Sequence, residues 1–400
     1  MTDTAPQIQA EGHCDERFAP VRDAFLANFD PADEGGNGDV GASVAVAVAG
    51  EVVVDLWGGH LDEARIRPWA PDTLVNLFST TKTMSCLALL VCVDRGLVDV
   101  DEPVAHYWPG FEANGKDGVL VRHILAHTAG LSGWSERIQG EDLYDWEKCT
   151  SLLAVQEPWW EPGTKSGYHA ITQGYLVGEV VRRVTGQSVG QFFASEIAGP
   201  MDADIHIGLD PVHDARVAPL VPVPPLGSDD TGQETGGGGD RQSIPFRTFI
   251  NPRLEAEQSY DLAWRRAEIP AAGGQGNARG VMRAQHAVAN GGEFNGVQLL
   301  SEPTLSRILD VQAAGRDLVL GIGVTFGVGY GLNSPRAPIS PSPRLCYWGG
   351  WGGSLVINDM DTRMTMAYVM NRMGEGTVGD DRAHAILRGV YASLGLEWKP

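Results

Sequence analysis

Apolar side chains recur along this chain at two different spacings, and each spacing predicts a type of secondary structure. Residues 16–29 carry Phe18, Val21, Phe25 and Phe29 at helical spacing, which predicts an amphipathic helix. Two β-rich runs follow, Ser43–Val48 and Val52–Leu56, and they meet around Gly50-Glu51. Two such runs joined by a tight turn predict a β-hairpin.

Helical spacing dominates the middle of the chain, and strand-like runs return towards its end. The predicted helices of the middle are the segment that follows Ser79, Val119–His127, Leu143–Val155, Ile171–Val184 and Val189–Ile197. The later predicted elements are the helices Ala278–Ala289, Pro303–Val311 and Asp381–Leu394 and the strands Gly321–Leu332, Leu345–Trp348, Ser354–Asn358 and Met364–Met370. Strands on both sides of a helical middle predict one sheet built from both termini, with a helical domain inserted between its halves.

The predicted division of the chain is a sheet domain of residues 1–80 plus 270–400 and a mainly helical domain of residues 81–269. Within the helical domain, residues 208–260 are rich in Pro, Gly and Asp and lack regular periodicity. The run Gly236–Gly239 is not a phosphate cradle, because no strand precedes it and no Gly-Lys-Ser/Thr ends it. We therefore predict an irregular loop or active-site lid at about 208–260.

One Ser-x-x-Lys tetrad, Ser79-Thr80-Thr81-Lys82, opens the most hydrophobic predicted helix. One helical turn brings the serine hydroxyl and the lysine amine to the same face. The next residues, Met84–Val93, are apolar almost all round, which predicts a buried helix with Lys82 at the edge of a dry environment. A desolvated lysine loses its proton near neutral pH and can activate a serine nucleophile. For the tetrad alone, the alternative is a serine that caps the helix.

Two later segments carry further candidate chemistry. Tyr168 lies at a turn before the helix Ile171–Val184, where its hydroxyl could relay a proton in a cleft or simply stay wet at an interface. The segment Tyr347–Ser354 holds four glycines and two tryptophans ahead of an apolar strand. Such a backbone can approach a substrate carbonyl and form an oxyanion hole, or it can be a Gly-rich turn with packed indoles.

Composition restricts the binding partners and the cellular location that we expect for this protein. The formal net charge of -21 argues against nucleic acid and anionic membrane surfaces as partners, and it makes neutral small-molecule esters or amides the easier substrates. The five cysteines lack regular spacing, which favours free thiols in a reducing compartment. The first residues lack the features of a signal peptide, and no apolar stretch is long enough to span a membrane. We expect a cytoplasmic protein, and the sequence leaves its oligomeric state open.

In this order, the three segments resemble the motifs of the serine β-lactamase-like superfamily, specifically class C β-lactamases and family VIII carboxylesterases. Ser79 and Lys82 match its Ser-x-x-Lys motif. Tyr168 matches the tyrosine of its Tyr-x-Asn motif, although Ala170 stands in place of the asparagine. Trp348-Gly349-Gly350 takes the place of Lys-Thr-Gly and is similar to the esterase branch.

The resemblance extends over about residues 16 to 395 and is weakest over 208–260. Family-like segments also occur at residues 125–131, 174–186 and 289–292. The triplet Lys165-Ser166-Gly167 has letters of the third motif, but it precedes a helix instead of lying on a late strand. We therefore interpret that triplet as a coincidence.

The resemblance implies an α+β fold of the β-lactamase/transpeptidase type, an α/β sandwich with an antiparallel sheet flanked by helices. It also implies an acyl-serine hydrolase that needs no metal or organic cofactor. In this interpretation Ser79 attacks an ester carbonyl, and Lys82 and Tyr168 together accept its proton. The backbone amides of Ser79 and Trp351 hold the oxyanion. The substrate-binding positions implied by the third motif are Trp348, Gly349 and Gly350.

Two departures from the family pattern narrow the predicted substrate. Trp348 replaces the lysine that meets a substrate carboxylate in β-lactamases and penicillin-binding proteins, and Ala170 removes an amide that would hold a substrate amide. Both changes favour neutral, small to medium acyl groups, so we predict a carboxylesterase. The alternatives on this fold are a β-lactamase, a D-amino acid peptidase or amidase, or an acyltransferase. An alternative of another class is a non-catalytic scaffold with an ancestral cleft.

The sequence gives less support to a metal site or to an α/β-hydrolase. His123 and His127 have the spacing of a two-histidine metal site, but no glutamate lies between them in a His-Glu-x-x-His pattern, so packing is preferred. An α/β-hydrolase needs a Gly-x-Ser-x-Gly pentapeptide on a strand–turn–helix, and the residues Gly186–Gly190, which have these letters, lie between two predicted helices instead. Three tryptophans are candidates for lining an aromatic pocket, although structural packing is the preferred interpretation: Trp134, Trp159 and Trp160.

Overall fold

A computed structural model describes residues 8–30, 38–222, 240–334 and 338–398 of the 400-residue chain. Most of the predicted lid region, residues 208–260, therefore belongs to the part of the chain that the structure describes. The glycine run Gly236–Gly239 lies outside the described residues.

The fold is built on one large antiparallel sheet. The strands are β1 (Glu11–Cys14), β2 (Gly41–Val48), β3 (Glu51–Gly59), β4 (Val75–Asn76), β5 (Ile205–His206), β6 (Gln275–Gly276), β7 (Glu293–Phe294), β8 (Val297–Gln298), β9 (Ala313–Arg316), β10 (Gly323–Phe326), β11 (Gly331–Leu332), β12 (Leu345–Gly349), β13 (Leu355–Asp359) and β14 (Met364–Met370). Nine of them form the large sheet, in the order β1-β3-β2-β14-β13-β12-β11-β10-β9. The sheet thus combines strands from both ends of the chain, as the sequence predicts.

The helices flank this sheet and fill the middle of the chain. They are α1 (Ala19–Ala27), α2 (Thr81–Asp94), α3 (Val104–Tyr107), α4 (Val121–Leu125), α5 (Trp146–Val155), α6 (Thr172–Thr185), α7 (Val189–Phe193), α8 (Ile244–Ile250), α9 (Leu262–Arg266), α10 (Ala278–Ala289), α11 (Glu302–Ile308) and α12 (Asp381–Ser393). The antiparallel sheet and its flanking helices confirm the predicted α+β fold class. The division at residues 80 and 270 stays a prediction.

The central strand β2 shows how the two faces of the sheet are used. Its side chains alternate across the sheet, so Val44 and Val46 join the core beneath α1 and α12, whereas Ala45 and Ala47 join the core that contains α2. Both faces are buried, which explains why the strand is apolar apart from Ser43 instead of alternating with polar residues. The small alanines lie on the face against which α10 packs.

Several local expectations need correction. The predicted helix Val119–His127 is shorter, Val121–Leu125, and the predicted strand Gly321–Leu332 is split into β10 and β11. The strands β1 and β9 were not predicted. Residues 208–260 are less irregular than expected, because they contain α8 and two short 3-10 helices, Pro211–Arg216 and Ala256–Tyr260.

Candidate active site

Ser79 lies in a tight turn that leads into α2. The turn is a 3-10 helix, Phe78–Thr80, and Phe78 adopts a positive φ of 42°. The Leu77 amide donates to the Gly274 carbonyl at 2.8 Å, which ties the turn to the chain just before β6. No side chain caps α2, whose N-cap residue is Thr80. The geometry therefore does not support the alternative interpretation of Ser79 as a helix cap.

Lys82 is buried one turn further along α2, with 2% of its surface exposed. Its Nζ donates to the carbonyl oxygens of Ala170 at 2.5 Å and Ala271 at 3.0 Å. The Nζ atom also lies 4.9 Å from the centroid of the Tyr168 ring. Burial lowers the pKa of Lys82 to about 7, and the nearby Cys86 opposes this shift only weakly. Near neutral pH, a large fraction of the Lys82 side chains is therefore uncharged.

Tyr168 lies between Lys82 and the segment after β12. Its hydroxyl interacts with the Ser79 side chain, which lowers the pKa of the phenol, and accepts a hydrogen bond from Trp348 Nε1 at 3.3 Å. Burial raises the pKa of the Tyr168 phenol well above its ordinary value, and its interactions with Ser79 and Trp348 offset only part of that effect. The phenol is consequently neutral at physiological pH, and it can give up a proton only as it receives another.

Two buried histidines form hydrogen bonds with the backbone of the Tyr168 turn. The sequence did not assign them this role. The Gly167 amide donates to the His127 carbonyl at 2.9 Å, and the His169 amide donates to His127 Nδ1 at 3.0 Å. His169 Nδ1 donates to the Gly167 carbonyl at 2.6 Å, because its Nε2 accepts from the Leu131 amide. Burial lowers the pKa of His169 to about 3 and that of His127 well below its ordinary value, so both rings are neutral.

The histidine pair first considered for metal binding therefore has other partners. His127 packs against Tyr168 with ring centroids 4.9 Å apart, whereas His123 Nδ1 accepts from the Leu120 amide at 3.2 Å. In the part of the chain that the structure describes, no cluster of three or more His, Cys, Asp or Glu side chains is arranged to hold a metal ion.

The third predicted segment packs directly against the Ser79 turn. Ser354 Oγ donates to the Leu77 carbonyl at 3.2 Å and shares a hydrogen bond of 2.9 Å with Thr80 Oγ1. A Cβ atom at Gly350 would lie 2.2 Å from the Leu77 carbonyl oxygen, so only glycine permits this close approach. Trp351 stacks on Phe78 with ring centroids 5.0 Å apart.

These contacts bring the Ser79 and Trp351 residues to the same cleft. Among the described residues, neither the Ser79 amide nor the Trp351 amide donates to an acceptor. Two free amides at a cleft wall are suited to holding a negatively charged oxygen.

A largely buried arginine with two aspartate partners holds the backbone of the segment that contains Trp351. Arg382 on α12 donates to the Gly352 carbonyl at 2.7 Å and forms ion pairs of 2.6 Å with both Asp39 and Asp380. Asp39 is fully buried, and its other carboxylate oxygen accepts from the Tyr368 hydroxyl. Because a guanidinium with several partners has a defined orientation, Arg382 fixes the backbone next to Trp351.

The cleft in front of Ser79 is lined mainly by apolar side chains. Its walls come from the Ser79 turn, the Tyr168 turn, α8 and the loops that follow α8 and β9. Its lining includes Ser79, Tyr168, Phe249, Leu254, Leu320 and Trp351. Ala170 also lines it, and its carbonyl holds Lys82 although its side chain lacks the family's amide.

The remaining residues that the sequence proposed for substrate binding do not line this cleft. Trp348 lies behind Tyr168 and contacts it through Nε1, while Gly349 and Gly350 form the backbone that leads to Trp351. The three tryptophans first considered for the pocket pack elsewhere: Trp134 Nε1 donates to Cys149, Trp159 stacks beneath Arg247, and Trp160 meets His169 edge-on.

Comparisons with known proteins agree with this geometry. The Beta-lactamase family model matches residues 29–391. The chain is 34% identical to the esterase/beta-lactamase LipL of Mycobacterium tuberculosis (strain ATCC 25618 / H37Rv), over 95% of this chain and 86% of that protein. It is 40% identical to a family VIII carboxylesterase of known crystal structure, with a TM-score of 0.87 over 96% of this chain and 100% of that one. A penicillin-binding protein homologue from Caulobacter crescentus is 37% identical, with a TM-score of 0.84 over 96% of this chain and 100% of that one.

Proposed function

The chain belongs to the Beta-lactamase family, and from this premise we propose that Ser79 cleaves neutral carboxylic esters through an acyl-serine intermediate. The protein is a serine hydrolase of the carboxylesterase type. The observation that carries the assignment to Ser79 is its place beside Tyr168 in the lining of an apolar cleft, one helical turn from a lysine whose pKa is about 7.

Lys82 is the proton acceptor in this proposal. A neutral amine keeps two N–H groups, which match the carbonyls of Ala170 and Ala271, and a lone pair remains for a proton. Tyr168 is a neutral phenol beside Ser79, so it can give its own proton to Lys82 while its oxygen receives the proton of Ser79. The proton then returns to the alkoxide that leaves the ester.

The amides of Ser79 and Trp351 are the proposed oxyanion hole. The attack of Ser79 Oγ on the ester carbon places a negative charge on the former carbonyl oxygen, and amides without another acceptor can stabilise it. Collapse of this intermediate expels the alkoxide and leaves the acyl group on Ser79. A water molecule then attacks the acyl-serine by the same proton route and releases the acid.

The preference for neutral acyl groups is supported by the residues around the cleft. Trp348 takes the place of the lysine of the third motif, and the cleft is lined by apolar side chains such as Phe249 and Leu254. A substrate carboxylate would lose its hydration there without a cationic partner, which is costly. The net charge of -21 further disfavours anionic substrates. The β-lactamase, D-amino acid amidase and acyltransferase alternatives have weaker support for these reasons.

We extend the proposal to location and partners. In the described part of the chain, no helix is both long and apolar enough to cross a bilayer. A cytoplasmic location is supported by the five cysteines, none of which is in a disulfide. A small-molecule ester is the expected partner, and the acidic charge argues against nucleic acid and anionic membranes.

The experiment that tests the proposal labels the protein with a fluorophosphonate and locates the adduct by mass. We expect one adduct, on Ser79, and loss of both labelling and short-chain aryl ester hydrolysis in Ser79→Ala. Ser195→Ala is the matched control, because Ser195 is exposed and bonds only to its own segment. Retained hydrolysis in Ser79→Ala would remove the nucleophile assignment, and an unlabelled wild type would favour the non-catalytic scaffold.

The role of Tyr168 is tested by Tyr168→Phe, which keeps the ring and removes the hydroxyl. We expect a loss of about a hundredfold in kcat, as is typical for the loss of a proton-transfer group. A much smaller loss would assign the proton transfer to Lys82 alone.

A further inference from the structure

Asp317 is a buried carboxylate at the end of β9 that contacts the Tyr168 turn. Its side chain is 1% exposed, although an isolated carboxylate is strongly disfavoured in such a place. One oxygen, Oδ1, accepts from the amides of Tyr168 at 3.0 Å, Val319 at 2.8 Å and Leu320 at 2.9 Å. A single oxygen atom therefore joins the proton-transfer residue to a wall of the cleft.

We propose that Asp317 is a positioning residue that holds Tyr168 at the distance from Ser79 that proton transfer requires. The inference rests on the proposed role of Tyr168. The side-chain hydrogen bonds of Asp317 all come from backbone amides, and Asp317 is not among the cleft-lining residues, so it acts through Tyr168 and not on the substrate.

The hydrogen bonds around Asp317 restrain the position of the Tyr168 turn. Tyr168 and Asp317 are 149 positions apart in the chain, so this bond joins two segments that are distant in the sequence. The Leu318 amide donates to the Ser166 carbonyl at 2.9 Å, which is a second link between the same segments. Charge-assisted hydrogen bonds to a carboxylate are stronger than neutral ones, so Asp317 carries more of the restraint than the Ser166 contact.

The charge of Asp317 has a second consequence for Tyr168. The carboxylate raises the pKa of the phenol, in the same direction as burial and the nearby Cys86. The other groups that face the phenol are Lys82, which is partly uncharged near neutral pH, and the neutral ring of His127. Asp317 therefore helps to keep the phenol protonated, which is the form that can relay a proton.

The test compares three variants, two at position 317 and one at position 359. Asp317→Asn keeps an oxygen that can accept the three amides, whereas Asp317→Ala removes it. Asp359→Ala is the matched control, because Asp359 is also fully buried and its Oδ1 accepts from the amides of Asp361 and Thr362 at 3.0 Å, at the end of β13 and outside the cleft lining.

We expect Asp317→Ala to lower kcat by about a hundredfold, since small displacements of a reacting group have effects of that size. Asp317→Asn should restore most of kcat, and Asp359→Ala should lower stability but leave the kcat of the folded protein unchanged. Urea unfolding of each variant separates lost structure from lost positioning. Equal kcat values for Asp317→Ala and Asp317→Asn would overturn the proposal, as would a comparable loss in Asp359→Ala.

A double-mutant cycle with Tyr168→Phe separates this inference from the proposed function. If Asp317 acts through the Tyr168 hydroxyl, Asp317→Ala costs little once that hydroxyl is absent. A full additional loss in the Tyr168→Phe background would refute the positioning role while leaving the catalytic role of Tyr168 intact. If Tyr168→Phe alone had no effect, the role proposed for Tyr168 would fail instead.

Discussion

The replacement of Lys82 by methionine tests the central physical claim about the site, which is that burial keeps this lysine partly uncharged. Lys82→Met retains the length of the side chain and removes the ionisable group. It also removes the donor to the Ala170 and Ala271 carbonyls, and this costs about 1–3 kcal/mol for each group left unsatisfied. That cost does not depend on pH, whereas the ionisation of the native lysine does.

The magnitude follows from the two pKa values of Lys82. Burial lowers its pKa from 10.5 to about 7, so between these values the unfolded chain binds more protons than the folded one. The stability of the native protein must therefore rise with pH in this window, and below it both states are protonated. The native lysine costs about 4 kcal/mol of folding free energy at pH 7 and about 1 kcal/mol at pH 9.5, when each pKa unit is converted at about 1.4 kcal/mol.

The assay is urea unfolding of the native protein and Lys82→Met at pH 7 and pH 9.5. We expect the stability of Lys82→Met relative to the native protein to be about 3 kcal/mol more favourable at pH 7 than at pH 9.5. Every other titrating group is shared by the two proteins, so it cancels in this comparison. Lys82→Met should also lose ester hydrolysis, because the proposed base is gone.

The chain offers a matched control in Lys116, a second fully buried lysine. Its Nζ donates to the carbonyls of Ala113 at 2.6 Å and Gln156 at 2.5 Å, and burial lowers its pKa to about 8. Lys116→Met should show a smaller pH-dependent change of the same sign and keep full activity, since it lies outside the cleft lining. A difference between Lys82→Met and the native protein that stays constant from pH 7 to 9.5 would refute the reasoning, because Lys82 would then be charged in the fold.

Three further predictions follow from the site and its support. Because neutral Lys82 is the proposed base, kcat/KM should rise with pH through about 7, and a flat profile from pH 5.5 to 8.5 would contradict that role. Phe249→Ala enlarges the cleft and should raise the ratio of octanoate to butanoate ester hydrolysis by about tenfold, whereas an unchanged ratio would place the acyl chain elsewhere. Arg382→Met leaves the buried Asp39 without its cation and should cost about 3–5 kcal/mol in urea unfolding, while the exposed Arg388→Met on the same helix should change stability by less than about 0.5 kcal/mol. Equal effects of the two arginine variants would contradict a supporting role for Arg382.

Elements whose cause is local were predicted well from the sequence. The helix α10 has the predicted bounds, Ala278–Ala289, because its apolar residues repeat at helical spacing over three turns. The helix α2 is buried from Thr81 to Cys92, as its nearly uniform apolar composition predicts. The short helix α8 was missed, since seven residues carry too little periodicity to be distinguished from a loop.

The supporting residues of the site were missed for a different reason. Asp317 and His127 act through hydrogen bonds to the backbone of the Tyr168 turn, and such contacts leave no spacing pattern in the sequence. For His123 and His127 the sequence favours packing over a metal site, but it does not indicate what either ring contacts. Only the packing of the Tyr168 turn against the segment that contains His127 reveals what this histidine contacts.

By itself, the sequence determined the order of the elements, the apolar character of α2 and the candidates Ser79, Lys82 and Tyr168, because each depends on neighbouring residues. Tertiary structure alone decided the protonation of these groups. The carbonyls that hold Lys82 come from Ala170 and Ala271, which are 88 and 189 positions away, and the burial that lowers its pKa exists only once those segments close over α2. A pKa is set by the solvent and charges within a few ångströms, and only the folded chain defines that neighbourhood.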